Sequence, residues 1–190
     1  AAINDISHTL ASYLDVDEMW QPLLEEISDL FPQAVIGVSL YDRDRDRLYV
    51  PRIQSTNLMI YPPPGDLSRS VLINGITLHF DDLHTETDRL RALDIPPERY
   101  ADDTLRSWLG TPLSSRDNQA IGLICLQVDQ PNAISDDEVA LLTTLAAQIS
   151  LALDNARLLQ SEQERRQIAN SLIDMGRVVS STLNIDAVFE

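Results

Sequence analysis

Lysine is absent from this chain, and all 14 of its basic residues are arginine. That absence removes a P-loop lysine, Schiff-base chemistry and a lysine general base. Cysteine is nearly absent as well. Cys125 stands alone, which excludes an intramolecular disulfide and a four-thiolate metal site and suits a reducing compartment. No unbroken apolar run of about 18 residues occurs and no secretory pattern is visible, so the expected location is cytoplasmic, without membrane contact. Positive charge is in deficit. Acidic residues outnumber basic ones by 30 to 14, and the resulting net charge of -16 repels phosphate backbones and anionic lipid, which argues against nucleic acid as a partner.

What is present is an ordinary globular composition, 44% hydrophobic over 190 residues, enough for one core and an appendage. The C-terminal "MGRVVSSTLNIDAVFE" resembles the N-terminal "INDISHTLASYLDVDEMW". Laid together without a gap, Asp5 meets Asp174, Ser12 meets Ser181, Leu14 meets Leu183 and Asp17 meets Asp186, while Ile6 and Met175, Leu10 and Val179, and Trp20 and Phe189 share apolar slots. A fixed period marks a repeated module. The expected organisation is a complete module over 1–160, a helical linker over 161–170 and the opening of a second module over 171–190, within a longer protein.

Apolar spacing predicts a helix over 3–14 and, after Asp17 as N-cap, a second one through Trp20, Leu23, Leu24, Ile27 and Leu30. "AVIGVSLYD" and "RLYVPRI" around the charged "RDRD" read as an antiparallel hairpin. "LSRSVLIN" suits a short helix, and "GITLHFDD" alternates Ile76, Leu78 and Phe80 against Thr77 and His79 as a strand does. The polar segment that follows, interrupted by Pro96 and Pro97, is long for a connection in a compact domain, a property of functional segments. "TLRSWLGTPL" and "QAIGLICLQV" are two further strands joined by the turn "SSRDN". Ser135 and Glu138 then form a capping box.

The helix that begins there has no evident stop for about 45 residues. Leu142, Leu145, Ile149, Ala152, Ala156 and Leu159 follow a 3-4 spacing, as do Ile168, Leu172, Met175 and Val179, with the seam interrupted at "QSEQERRQ". A seam of this length needs a partner. The expectation is a homodimer through a parallel coiled coil of this C-terminal helix. The alternative is one packed helix, a joint near 161–167, and the first helix of the next module.

"SWLGTPLSSRDNQAIGLICLQVDQPNAISDDEVALLTTLAAQISLALDNARLL" resembles the C-terminal half of a GAF domain, and "NGITLHFDD" is similar to that family's middle strand. The resemblance spans about residues 3–160. It implies an α+β fold, an antiparallel sheet with helices packed on one face and a lid region on the other, followed by a long C-terminal helix. It also implies a sensory or regulatory module of a larger bacterial signal-transduction protein, commonly in tandem ahead of an output such as a histidine kinase of a two-component system. One fold hosts many functions, so the ligand does not follow.

The residues of particular subfamilies are not matched. Cyclic-nucleotide-binding members carry an Asn-Lys pair followed by Phe and Asp-Glu, whereas here Asn132 precedes Ala133 and lysine is missing. Asp94, Ile95 and Pro96 echo the phytochrome-like Asp-Ile-Pro, yet no Cys follows to attach a bilin before the next strand, and the plain reading is a loop bounded by proline. GAF-type methionine sulfoxide reductases need more than one thiol, and Cys125 in "IGLICLQV" reads as packing. His8, His79 and His84 have no ligand spacing, so no metal site is expected, and no cofactor is identifiable.

The family's pocket lies between the long connection and the sheet. Tyr100 and Trp108 flank that connection and, with His79, Arg106 and Thr111, are the candidate contacts to a small-molecule ligand. The plain reading of the two aromatics is core. No nucleophile-base pair stands out, so the module is expected to be non-catalytic. Two functions remain: a sensor that couples small-molecule binding to the long signalling helix, and a dimerisation or protein-interaction scaffold whose pocket is filled by its own side chains.

Overall fold

The computed structural model describes residues 16–42, 45, 47–51 and 65–186. The helix expected over 3–14, with His8, lies outside the described residues. Five strands form one antiparallel sheet: β1 Val35–Asp42, β2 Arg47–Tyr49, β3 Leu78–Phe80, β4 Ser107–Ser114 and β5 Ala120–Val128, in the order β2-β1-β5-β4-β3. The helices are α1 Val16–Leu30, α2 Gly65–Asn74, α3 Thr87–Ala92 and α4 Asp136–Asp186, with a 3-10 turn at Pro97–Arg99. Because α1 already includes Val16, Asp17 sits in its first turn and not at its cap.

Period-two alternation gives the sheet two buried faces. On one, Trp20, Leu23, Leu24 and Ile27 of α1 and Leu142, Leu145, Ile149 and Leu153 of α4 pack on Val38, Leu109, Ile124 and Leu126. On the other, Leu67 and Val71 of α2 and Leu83, Leu90, Ile95 and Tyr100 of the long connection pack on Phe80, Trp108, Leu123 and Cys125. These are the helical face and the lid face. Ile76, expected beside Leu78 and Phe80, precedes the strand and is 51% exposed.

The long connection is built, not loose. α3 ends in a Schellman motif: Ile95 N–H donates to Leu90 O (3.0 Å) and Asp94 N–H to Arg91 O (3.0 Å), with Asp94 in the left-handed region at φ 56. Leu90 and Ile95 close the motif as buried neighbours, and Pro96 prevents further helix. "LDIPPER" is therefore a helix stop. Asp94→Gly removes the cost of a Cβ at positive φ, partly offset by unfolded-chain entropy, and is expected to stabilise the domain by about 0.5 kcal/mol in urea denaturation.

α4 starts at the expected capping box, with Ser135 N–H on Glu138 Oε2 (2.8 Å) and Glu138 N–H on Ser135 Oγ (3.3 Å). It is one continuous helix of 51 residues. Contacts divide the chain into two units, Ala1–Asp154 and Asn155–Glu190. Within the first, the seam through Leu142, Leu145 and Ile149 is spent on the sheet, so this half of the expected coiled-coil seam is core. Within the second, Leu158, Ile168, Leu172 and Met175 are exposed. The stretch Asp136–Met175 is long and apolar enough by length and composition to cross a membrane, but it begins as a core helix with its apolar face buried on the sheet.

Candidate functional site

The five sequence-derived candidates fall in different places. Tyr100 and Trp108 come together in the lid-face core, both buried. Burial holds the Tyr100 hydroxyl protonated, with its pKa pushed up to about 12. Arg106 donates from Nε to Asp82 Oδ1 (2.8 Å) and from a terminal nitrogen to Oδ2 (2.7 Å), so its guanidinium is engaged in a bidentate ion pair. The Arg106 guanidinium in turn holds the Asp82 carboxyl at a pKa of about 2. His79 and Thr111 lie on the helical face. His79 pairs with Leu109 and Thr111 with Ile124, both in the helical-face core, and Thr111 Oγ1 is 3.4 Å from Thr77 Oγ1. His79 Nε2 is 3.4 Å from Asp81 Oδ1 at the sheet edge.

Cys125 occupies the middle of β5, paired with Gly37 on one side and Gly110 on the other. Burial pushes its thiol up to about 12, outweighing the hydrogen-bonding influence of the Trp108 indole and the Gly37 backbone. It carries no thiolate at neutral pH and is buried. Among the described residues, no group of three His, Cys, Asp or Glu is placed to hold a metal ion.

The space between sheet and connection is filled by Phe80, Leu83, Leu90, Ile95, Tyr100 and Trp108. The connection is fastened over it. Arg99 is ion-paired with Asp66 of α2, and Leu83 N–H donates to Arg106 O (2.8 Å). A cleft of about 580 Å³ lies elsewhere on this side, between the outer flank of α2, the β1-β2 end of the sheet and the β4-β5 turn. Gly65, Arg69, Leu72 and Ile73 face it at helical spacing, opposite the core residues Leu67 and Val71. Tyr41 and Leu48, directly paired across β1 and β2, form its wall, and Asn118 and Gln119 of the turn its rim. Among the described residues, none that lines it is acidic. The sequence held one faint signal for this region: "LSRSVLINGITLHF" carries no acidic residue in a chain with 30 of them.

The turn that rims the cleft is also bonded to α4. Ser114 N–H donates to Ser150 Oγ (3.0 Å) and Arg116 N–H to Asp154 Oδ2 (2.7 Å), while Ser150 Oγ–H donates to Ala146 O (2.7 Å). Ser150 and Asp154 are one helical turn apart, so both stand on the same flank of α4. Inside the turn, Ser115 N–H bonds Gln119 O (2.9 Å) and Asn118 N–H bonds Ser115 O (3.0 Å), with Asn118 at φ 55.

A family model for the GAF domain matches residues 15–153. Among solved structures, the GAF domain of Acinetobacter phosphoenolpyruvate-protein phosphotransferase is similar at a TM-score of 0.62 and 17% identity, over 83% of this chain and 93% of its own. A free methionine-R-sulfoxide reductase from Neisseria meningitidis, in complex with its substrate, is similar at 0.64 and 16%, over 83% and 89%. Residues 122 to 287 of a methyl-accepting chemotaxis protein are similar at 0.59 and 18%, over 81% and 98%. At these identities the likeness is one of fold. A comparison with curated protein sequences finds no match.

Proposed function

The chain belongs to the GAF domain family, and from that premise we propose that it is a non-catalytic sensory module of a larger signalling protein, in which occupancy of the α2 cleft is passed to the long helix α4. The observation that carries this reading is the β4-β5 turn, which lines the cleft through Asn118 and Gln119 and is held to α4 through Ser150 and Asp154. A ligand that binds one arrangement of that turn more tightly than another biases the helix by the same free energy. A reductase role is disfavoured by the lone Cys125, buried and protonated.

The output end of the reading is a homodimer. Leu158, Arg165 and Leu172 recur at heptad spacing, with Ile168 and Met175 three residues after the last two, and all five side chains are exposed. We read this as an a/d stripe of a parallel coiled coil, interrupted at Ser161 and Arg165 within the polar stretch. Residues 171–190 we read as the opening of a second module of the same kind, continuing toward an output domain such as a histidine kinase.

The second reading, a dimerisation scaffold without a ligand, is favoured by one observation: the lid-face space is filled by Trp108, Tyr100 and their neighbours. Native mass spectrometry before and after denaturation separates the two. The expected result is a dimer carrying a small bound mass that disappears on denaturation. A bare dimer supports the scaffold, and a monomer overturns the coiled-coil interface.

A further inference from the structure

Resting on the sensor reading above, we infer that the α2 cleft binds a small organic carboxylate with an apolar body, and that Arg69 is its anchoring residue. The charge pattern points to an anion. Arg69 forms no ion pair among the described residues, whereas Arg89, Arg91, Arg99, Arg106 and Arg166 each hold a carboxylate. In a chain of net charge -16, Arg69 has no carboxylate partner among the described residues, and none of the described residues lining the cleft is acidic. A guanidinium presents planar paired donors that match a carboxylate.

The rest of the lining specifies the body and the head. Leu48, Leu72, Ile73 and the ring of Tyr41 offer apolar surface, and the amides of Asn118 and Gln119 offer further donors to the same cleft. The volume of about 580 Å³ suits a small molecule and not a peptide. Among the described residues Arg69 is the one cation lining the cleft, so a monoanion is neutralised, whereas a phosphate monoester leaves a second negative charge uncompensated against the field of the whole chain. Carboxylate is therefore favoured over phosphate. Asn118 and Gln119 stand on the turn that Ser150 and Asp154 hold, so a ligand filling the cleft meets the element that reaches α4.

Phenylacetate and octanoate, with phenylacetamide and phenyl phosphate as controls, are the probes for ligand-observed NMR and calorimetry on the intact chain. Phenylacetate or octanoate is expected to bind, with the amide weaker by about tenfold and Arg69→Gln losing about tenfold in affinity, since hydrogen bonds to a charged group are at stake. Arg69 is exposed on α2, so the variant keeps its fold, which its melting temperature verifies; Arg91→Gln, on α3, is expected to bind normally. Equal binding of acid and amide, tighter binding of phenyl phosphate, an unaffected Arg69→Gln, or no binding by either acid overturns the inference. Hydrogen exchange on the same samples separates it from the reading it rests on. Arg69-dependent binding whose protection never reaches 146–154 supports the site and sinks the coupling. Failure of both acids, with a different bound mass in the native spectrum, sinks the carboxylate and leaves the sensor.

Discussion

Replacing Gly110 with alanine is expected to destabilise the domain by about 3 kcal/mol or more, the upper range for overpacking a core. Gly110 and Trp108 are two apart on β4 and share the lid face. A Cβ built on Gly110 falls 2.1 Å from Cη2 of the Trp108 indole, 2.6 Å from Cζ2 and 2.8 Å from Cζ3. The ring lies across the glycine. It has no room to move away, because Trp108 is fully buried among Phe80, Leu83, Tyr100 and Cys125. The constraint is one of space and not of backbone conformation, so it predicts a specific rescue. Trp108→Leu alone leaves a cavity and costs about 3 kcal/mol. In the Gly110→Ala background it removes the collision, and the double variant is expected to be more stable than the sum of the two losses by at least about 1 kcal/mol. Urea denaturation of the four proteins gives the cycle. A Gly110→Ala variant within about 0.5 kcal/mol of the parent would sink the account.

Elements with a local signature were legible in the sequence. The Ser135-Glu138 box starts α4, the "SSRDN" turn joins β4 to β5, and the core face of α4 follows its 3-4 spacing. The face assignment of single residues was harder. Phe80 pairs with Trp108 on the lid face, so His79 and Thr111, each an odd number of positions from one of them, must point the other way; alternation already implied this, and grouping all five candidates in one pocket ignored it. A helical seam likewise does not reveal its partner, and the sheet took the half from Leu142 to Leu153. The cleft was not legible as a site. Its residues come from β1, β2, α2 and the β4-β5 turn, and only strand pairing such as Tyr41 with Leu48 brings them together.

Arg106→Met is the second large effect expected, a lowered urea midpoint relative to the parent, and its pH profile identifies the cause. Asp82 is nearly buried, and its carboxylate receives both prongs of the Arg106 guanidinium and the backbone N–H of His84 (3.1 Å). Losing the arginine leaves a buried charge with one hydrogen bond. The folded-state pKa of Asp82 lies below its unfolded value, at about 2 against 3.8. The pair's contribution is therefore fully present above pH 4 or so and is lost as pH falls toward 2, an acid-labile share that solvent screening of the partly exposed arginine keeps small. In Arg106→Met that share is absent, so the difference in stability between parent and variant should shrink across this window. Asp82→Asn combined with Arg106→Met removes the stranded charge and is expected to recover more than half of the loss. The ion pair and the bond from Leu83 N–H to Arg106 O together fasten the start of the lid connection to β4. A parent-variant difference that is constant from pH 6 to 3 would place the loss in packing of the arginine stem and not in its charge.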